Sequence, residues 1–400
     1  MTNTYRWDTK EGIILLLIGL LCPAVAVFFL IISIYKRNLF SVYILAFLTA
    51  LLIGIMPPYA DNYSYYQVYR SSVDFNISNW FYTQKDFLFN FLAYIFNFLN
   101  LQYITFRLFL ILLELFIFAW IFVDFTKINI NYLEKNKFLY FLIICFLSID
   151  IIFICFMIRY ALMATFLILG VYLFYKSKYI MGFVSIFLAI ISHFGAFLFL
   201  PVILLSFLFR YKISYLNKFL ISLLCFLVGL SIFSFIYYLL PDILKADTYI
   251  TGTWSGFEVK SFNGMMFYIL QYYIISGILM LCFLFTKTEN NYLSRFAFFS
   301  VLLFCCICSF SELSQRVWWI AKIILVFSLL LAIVKNQYKK TIIIKLYFII
   351  ALLLASQMMS LYGFREPFFD KDNFKHTINL SSFILSEPYD DAYFFRRSIK

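Results

Sequence analysis

The sequence predicts an all-α, polytopic integral membrane protein with an outward-facing cavity. Hydrophobic residues make up 64% of the 400 residues, charged residues only 13%, and the mean hydropathy is +0.92. The apolar residues form runs of roughly the length that crosses a bilayer. Polar stretches are too short for a separate soluble domain, so we expect one membrane domain over 1–360 and a polar tail over 361–400, on the outer side.

The apolar runs predict about twelve transmembrane helices joined by short loops. The first run, 12–34, contains a stretch that resembles a signal-peptide cleavage site, but it continues well past that stretch, which favours a true span. Segment 87–101 is short and is broken by asparagines, so we predict a re-entrant or interfacial helix on the outer face. The predicted spans are 12–34, 39–56, 104–123, 138–156, 157–175, 179–193, 194–209, 217–240, 265–286, 296–311, 317–334 and 341–360.

The lysines and arginines between the runs predict the orientation, because short cytoplasmic loops are enriched in both. All the basic clusters fall on one side if both termini lie outside and 87–101 does not cross. Their scatter over short loops argues against a nucleic-acid partner despite the net charge of +12. The eight cysteines lie in apolar runs, which predicts packing residues rather than disulfides. The basic clusters are Lys36-Arg37, Lys127/Lys135/Lys137, Lys176/Lys178, Arg210/Lys212/Lys218, Lys287/Arg295 and Lys335/Lys339/Lys340.

Three tight hairpins and a Tyr-rich loop, 57–86, place polar groups on the outer side. The hairpin tips carry Arg159, His193, and Glu312 with Arg316. A chain that must cross twice within one long apolar run has to turn near the run's one strongly basic group, Arg159. The helices that meet at His193 rise about 22 Å each, less than the roughly 30 Å of a hydrocarbon core. We therefore expect His193 below the membrane surface, at the floor of the cavity.

These residue types suit the recognition of a lipid-linked pyrophosphate. Guanidinium groups bind phosphate oxygens in pairs and keep their charge, so Arg159 and Arg316 are candidate pyrophosphate ligands. His193 is a candidate either to take a proton from an attacking sugar hydroxyl or to orient it. Tyrosine rings of loop 57–86 would offer flat faces to sugars. Together these residues indicate glycosyl transfer between lipid-bound saccharides on the outer side.

The central block of the chain resembles the EpsG family, relatives of the Wzy O-antigen and capsule polymerases. That block comprises 158–164, 172–173, 176–178 and 188–196. The stretch Asp61-Asn62-Tyr63-Ser64-Tyr65-Tyr66 is similar to the family's acidic and tyrosine motif, Gln315-Arg316 resembles its late arginine, and Pro388-Tyr389 its terminal Pro-Tyr. The chain departs from the family at Ala60, where a glycine is usual, at Tyr160, where a glutamine is common, and at Trp318-Trp319, which follow the late arginine.

The resemblance implies a bacterial inner-membrane glycosyltransferase that works at the periplasmic face. It would join undecaprenyl-pyrophosphate-linked repeat units into O-antigen, capsule or exopolysaccharide, with no cofactor and no metal. Arg159 and Arg316 would bind pyrophosphate, His193 would activate or position the acceptor, and Asp61 would bind the acceptor or act as base. Membrane lipids and a chain-length regulator protein are candidate partners. Further candidate substrate-binding residues are Arg70, Tyr65, Tyr66 and Glu312.

Structural interpretations of the same residues stay open. An arginine at a hairpin tip is often an interfacial anchor, and a histidine in an apolar run often only packs. Asp61 could serve only the turn, and Glu312 could be the ion-pair partner of Arg316, four residues later on a helix. Asp150, inside a predicted span, is a candidate to neutralise Arg159.

Two other function classes also remain. A flippase or transporter of the same lipid-linked saccharide would line a central path with charges from both sides. Many transporters are built from internal repeats, and this sequence contains no clear repeat. A membrane acyltransferase would need an acyl-donor site, usually reached from the cytoplasmic side, where this chain offers only short basic loops. The sequence favours the polymerase over both.

Overall fold

The computed structural model describes residues 5–54, 62–72, 86–130, 135–210, 213–239, 274–308, 311–335 and 339–363. Over these residues the protein is all-helical, with 16 α-helices and no strand, as predicted. A 3₁₀ helix, Phe194–Phe199, leads directly into one of the α-helices. The α-helices are α1 Thr9–Leu21, α2 Pro23–Tyr35, α3 Phe40–Gly54, α4 Asn62–Ser71, α5 Phe87–Phe98, α6 Tyr103–Ile130, α7 Lys135–Ser148, α8 Ile151–Phe156, α9 Ile158–Tyr175, α10 Tyr179–Ser192, α11 Leu200–Leu208, α12 Tyr215–Leu239, α13 Ser276–Leu284, α14 Tyr292–Cys306, α15 Ser311–Lys335 and α16 Lys339–Gly363.

Three of these helices, α6, α9 and α15, are long and apolar enough to cross a membrane. Their spanning segments are Tyr103–Ile128, Ile158–Tyr175 and Leu313–Val334, and the segments in α9 and α15 are mostly buried inside the bundle. Shorter apolar helices make up much of the remaining described chain. The protein is therefore a membrane-type helical bundle, while the predicted number of about twelve spans is not confirmed.

The first predicted span, 12–34, is wrong, because the run forms two helices rather than one. Helix α1 ends at Leu21, Cys22 has an extended backbone, and Pro23 occupies the first position of α2. Proline fits that position because it needs no amide hydrogen there, but inside a helix it removes a hydrogen bond and clashes with the preceding turn. Each helix has 13 residues. Helices of that length rise about 20 Å, too little to cross the hydrocarbon core.

Helices α1 and α2 form a hairpin against α3. Gly12 of α1 lies against the ring of Phe40 at the start of α3, so α1 and α3 begin at the same end of the bundle. The backbone of Arg6 pairs with that of Asn38, in the turn between α2 and α3. The residues that precede α1 therefore lie beside Arg37, on the side that holds the basic clusters, and not on the opposite side as predicted.

Several of the basic clusters gather at one end of the bundle, here called the basic end and defined by Lys176, Lys218 and Thr288. Near the end of α6, Asp124 accepts hydrogen bonds of 2.6 Å from both Tyr172 and Lys176, near the end of α9. Close to the start of α12, Lys218 donates to the hydroxyl of Thr288, 3.0 Å away. Helices α6 and α9 thus run in the same direction, and their first residues lie at the opposite end.

Helix α5 lies at that opposite end and does not cross the bundle. Its 12 residues give a length of about 18 Å. Its last turn is tied to α4, because Asn97 donates to the carbonyl of Tyr69 at 2.8 Å and the Tyr69 hydroxyl donates to the carbonyl of Leu101 at 2.5 Å. Asp86, just before its first turn, contacts Arg159 at the start of α9. Both ends of α5 therefore stay near one face, as the sequence predicted for 87–101.

The predicted span 138–156 is interrupted at Ile149 and Asp150, between α7 and α8. Gln357 of α16 donates its amide hydrogens to the carbonyls of Leu147, at 3.1 Å, and Ile149, which the broken helix leaves without their usual partners. Asp150 is buried, and the buried Lys322 of α15 is a neighbouring positive charge. The interruption is thus held by a polar side chain from a neighbouring helix.

Candidate functional site

The structure brings Arg159, His193 and Arg316 together at the end of the bundle opposite the basic end. Arg159 is the second residue of α9, His193 directly follows α10, and Arg316 lies in the second turn of α15. Tyr160 joins them. Its hydroxyl donates to the carbonyl of Arg316 at 2.6 Å, and its ring lies edge-on to His193 with centroids 5.8 Å apart. The Arg316 guanidinium lies 5.6 Å from the centre of the same ring.

The Arg159 guanidinium is held from two directions. Its Nη1 atom lies 2.8 Å from Oδ2 of Asp86, and its central carbon lies 4.6 Å from the centre of the Tyr65 ring and 5.9 Å from that of Phe89. The Asp86 carboxylate is buried, while the Arg159 side chain is 29% exposed. A charged hydrogen bond is strong where water is scarce, so Asp86 fixes the direction of the guanidinium fork.

Asp86 is a site residue that the sequence analysis missed. Its backbone is left-handed, with φ 72° and ψ 48°, a conformation that Asp tolerates better than most residues. It sits at the N-cap of α5, but its side chain makes no cap hydrogen bond and instead reaches Arg159. One available signal was an acidic residue directly before the apolar segment 87–101 on the predicted outer side.

Two tyrosines of α4, Tyr65 and Tyr66, are packed inside the protein. Tyr65 and Tyr66 are both almost fully buried, and the Tyr66 ring meets Tyr103 edge-on at 5.6 Å. The exposed Arg70 places its guanidinium 6.0 Å from the Tyr66 ring centre. Tyr65 therefore packs against the Arg159 guanidinium, and neither ring offers the open face to a sugar that the sequence suggested.

Two predicted site residues lie outside what the structure describes. Asp61 falls in the undescribed segment 55–61, and Glu312 lies in the first turn of α15 with its side chain undescribed. Its predicted ion pair with Arg316 therefore stays a prediction. Farther along α15, Trp319 is buried and stacks on Phe153 with ring centroids 5.3 Å apart, which braces the helix that carries Arg316.

The imidazole of His193 has a defined tautomer. Its Nδ1 atom accepts a hydrogen bond of 2.9 Å from the backbone N–H of Gly195, in the 3₁₀ helix that follows. A ring nitrogen that accepts carries no hydrogen, so the ring is neutral and its hydrogen is on Nε2. In this state Nε2 donates a hydrogen bond and cannot take up a proton. The geometry favours orienting a substrate oxygen over the proton abstraction that the sequence left open.

The charges of the described site suit an anion with several oxygens. Arg159 and Arg316 supply two guanidinium groups, both close enough to act electrostatically on His193, and Asp86 supplies one carboxylate. Guanidinium groups match the spacing of phosphate oxygens, and a neutral Nε2–H adds a further donor. The site can therefore hold a phosphate or pyrophosphate group through donors from three helical hairpins.

The sequence profile of the EpsG family matches residues 39–369. The match runs from the turn before α3 to beyond α16 and includes Arg159, His193 and Arg316, whereas the α1–α2 hairpin lies before it. No curated protein and no solved structure matches the chain. Because the match covers most of the chain, this membrane protein belongs to the EpsG family, which is a Wzy-like polymerase family.

Proposed function

We propose that this protein is a membrane glycosyltransferase that polymerises undecaprenyl-pyrophosphate-linked oligosaccharide repeat units into O-antigen, capsule or exopolysaccharide. The observation that carries the proposal is the convergence of Arg159 and Arg316 around Tyr160 and His193, within a chain of the EpsG family. Two converging guanidinium groups at a membrane face suit a lipid-linked pyrophosphate better than they suit an uncharged saccharide.

The proposed reaction moves the growing saccharide from one lipid carrier to another. An acceptor hydroxyl on the non-reducing sugar of one repeat unit attacks the anomeric carbon of the growing chain. A new glycosidic C–O bond forms, and the bond between that carbon and the pyrophosphate oxygen breaks. The hydroxyl proton passes to Asp61, the remaining candidate base, or to water, and undecaprenyl pyrophosphate leaves with the bonding electron pair. Negative charge thus develops on the leaving oxygen, and donors placed at such an oxygen in advance lower the barrier.

The described residues have distinct parts in this reaction. Arg159 and Arg316 bind the pyrophosphate oxygens, and Asp86 orients the Arg159 fork. His193 donates from Nε2 to a substrate oxygen, while Tyr160 positions the Arg316 backbone and the imidazole. Asp61, Arg70 and Glu312 remain proposals for acceptor or substrate contacts, whereas the buried Tyr65 and Tyr66 would act through the arginines they contact, Arg159 and Arg70.

The site would face the periplasm. Because several Lys/Arg clusters collect at the opposite end of the bundle, that end is proposed to be cytoplasmic. The membrane would be the bacterial inner membrane, crossed about eleven times around an outward-facing cavity once the first predicted span is left out. The tail 361–400 is proposed to lie on the periplasmic side, and a chain-length regulator is proposed to bind there or within the membrane.

Reconstitution in liposomes would test this function. With the purified protein and the lipid-linked repeat unit as sole substrate, we expect a ladder of polymers on lipid. One undecaprenyl pyrophosphate should be released for each new linkage, because each transfer frees one carrier. Movement of the repeat unit across the bilayer with no ladder would contradict the proposal and identify a flippase.

Replacing Asp86 by Asn should slow polymerisation about tenfold or more in the same assay. Asparagine tolerates the left-handed backbone and keeps the side-chain shape, but it removes the charge that holds Arg159. A hydrogen bond to a charged group contributes about 1.5–3 kcal/mol, which corresponds to at least about tenfold.

Asp124→Asn is the matched control for Asp86→Asn. It breaks another carboxylate–cation pair, with Lys176, at the basic end. The control should keep the full rate at equal membrane abundance. Unchanged polymerisation in Asp86→Asn would show that Arg159 does not depend on this carboxylate.

A further inference from the structure

A cavity of about 370 Å³ lies at the basic end of the bundle, far from the site formed by Arg159, His193 and Arg316, here called the arginine site. It is formed by the turn before α12, the segment between α13 and α14, and the first turns of α14. Phe174, near the end of α9, packs on Tyr292 at the start of α14 with ring centroids 5.6 Å apart. Because Arg159 begins α9, most of a membrane-crossing helix separates the cavity from the arginine site.

Two helices point their N-termini at this cavity. Helix α12 begins at Tyr215 and α14 at Tyr292, and residues of both first turns line the cavity. The helices lie side by side in close contact, because a side chain at Gly229 of α12 would collide with the backbone carbonyl of Cys305 in α14. The N-terminus of a helix carries a partial positive charge and attracts anions. Two aligned N-termini add their fields.

Cationic side chains are held at the same place. Lys218, Lys287 and Arg295 line the cavity against one carboxylate, Glu289. Lys218 is fixed by its bond to Thr288, and Arg295 by a 2.7 Å bond from Nε to the carbonyl of Ser206. Lys218 and Arg295 are thus held at the cavity by hydrogen bonds, and Lys287 lines it as an exposed side chain. Such a surplus of positive charge is relieved by a bound anion.

Polar groups without a strong charge complete the lining. The hydroxyl of Ser294 is buried and has no hydrogen-bond partner among the described residues, although Ser294 lines the cavity. Buried hydroxyl groups are rarely left without a partner, so an unfilled one marks a place for a ligand or water oxygen. Phosphate oxygens could accept from this hydroxyl and from the lysines.

The rim of the cavity is apolar and open. Phe209 and Tyr215, which line the cavity, are 48% and 42% exposed. Large apolar side chains that remain exposed on a membrane protein face lipid chains. An occupant with a phosphate headgroup and acyl chains would fill both the basic cavity and its apolar rim, whereas a free phosphate would use only the first.

We propose that this cavity binds the phosphate headgroup of an anionic phospholipid on the side of the membrane opposite the arginine site. Basic pockets between membrane helices recognise such headgroups through lysines and arginines. Phosphatidylglycerol is the probe of choice, because it carries one phosphodiester and no competing positive charge. The inference does not depend on the polymerase reaction, since the cavity shares no residue with the arginine site.

Lipid binding to the full-length protein in detergent, measured by native mass spectrometry, tests the proposal. The double variant Lys218→Gln/Lys287→Gln should bind phosphatidylglycerol about tenfold or more weakly than the parent, because it loses two cations next to the phosphate. The control, Lys36→Gln/Lys178→Gln, removes the same charge from other basic clusters and should bind like the parent. Phosphatidylcholine should bind weakly to all three proteins.

Three outcomes would overturn the proposal. An equal loss in the control would mean that net charge, not the cavity, attracts the lipid. Equal binding of phosphatidylcholine and phosphatidylglycerol by the parent would exclude recognition of an anionic headgroup. Displacement of phosphatidylglycerol by millimolar inorganic phosphate would identify a free-phosphate site with no role for the acyl chains.

Discussion

Replacing Arg159 by Ala should collapse the polysaccharide to a single repeat unit on its lipid acceptor. The change removes a guanidinium from the pyrophosphate and leaves the buried Asp86 carboxylate without its 2.8 Å partner. Removing one preorganised donor from a developing negative charge costs about 10²–10³ in rate. The measurement is the gel ladder from cells in which the native copy has been replaced, at equal membrane abundance.

Arg316→Ala should give the same collapse, and Arg159→Lys should restore little. Lysine keeps the charge but has no planar fork to engage Asp86 and a phosphate together. Arg6→Ala is the matched control, because Arg6 lies before the family match and forms its ion pairs with Asp8 and Glu11.

The three outcomes of this series have different meanings. Unchanged ladders would reduce Arg159 and Arg316 to membrane anchors. Loss of even the single unit would point to flipping or to precursor supply. Only the collapse to one unit, with transport intact, agrees with the proposed polymerase.

The hairpin tips could be predicted because length and charge leave few choices. An arginine in a long apolar run is costly unless the chain turns there, so Arg159 had to lie near a membrane face. The same reasoning for His193 and Arg316 required only the rise per residue and the bilayer thickness. The cost of burying a charged or polar group in the bilayer therefore determined where each turn lies. The structure places all three residues at one end of the bundle.

The features that were missed depend on tertiary packing. Pro23 was a sequence signal for the break at Cys22, but the packing of the hairpin against α3 depends on Gly12 and Gly19 of α1, which contact α3. The pairing of Asp86 with Arg159 joins residues far apart in sequence, and several carboxylates could have served. A hydropathy pattern predicts where the apolar segments and the turns between them lie, but it does not predict which side chains meet in the folded protein.

The burial of Tyr65 shows a related difficulty. Tyrosines near a membrane face are typical of interfacial belts and of sugar sites alike, so the residue type alone did not decide between them. Tyr65 instead packs against Phe89, with ring centroids 5.5 Å apart, and its ring lies against the Arg159 guanidinium. This packing role depends on the position of α5 beside α4, which is a tertiary contact.

The tautomer of His193 predicts that glutamine and asparagine will not be equivalent replacements. A glutamine places an amide N–H close to the position of Nε2, whereas an asparagine places its carbonyl oxygen close to that of Nδ1, where Gly195 donates. If Nε2 acts as a donor, His193→Gln should polymerise within about tenfold of the parent, and His193→Asn should lose about 10² or more. Rates come from the liposome assay, with thermal unfolding as the check that both variants are folded.

Abstraction of a proton by His193 would give a different result, because neither amide can act as a base. Both variants would then lose activity to the same extent despite normal folding. If His193 only packs, the order of the two rates reverses. His193→Asn would then be the milder change, because it keeps the hydrogen bond from Gly195 that begins the 3₁₀ helix. The ratio of the two rates thus separates a hydrogen-bond donor from a base and from a packing residue.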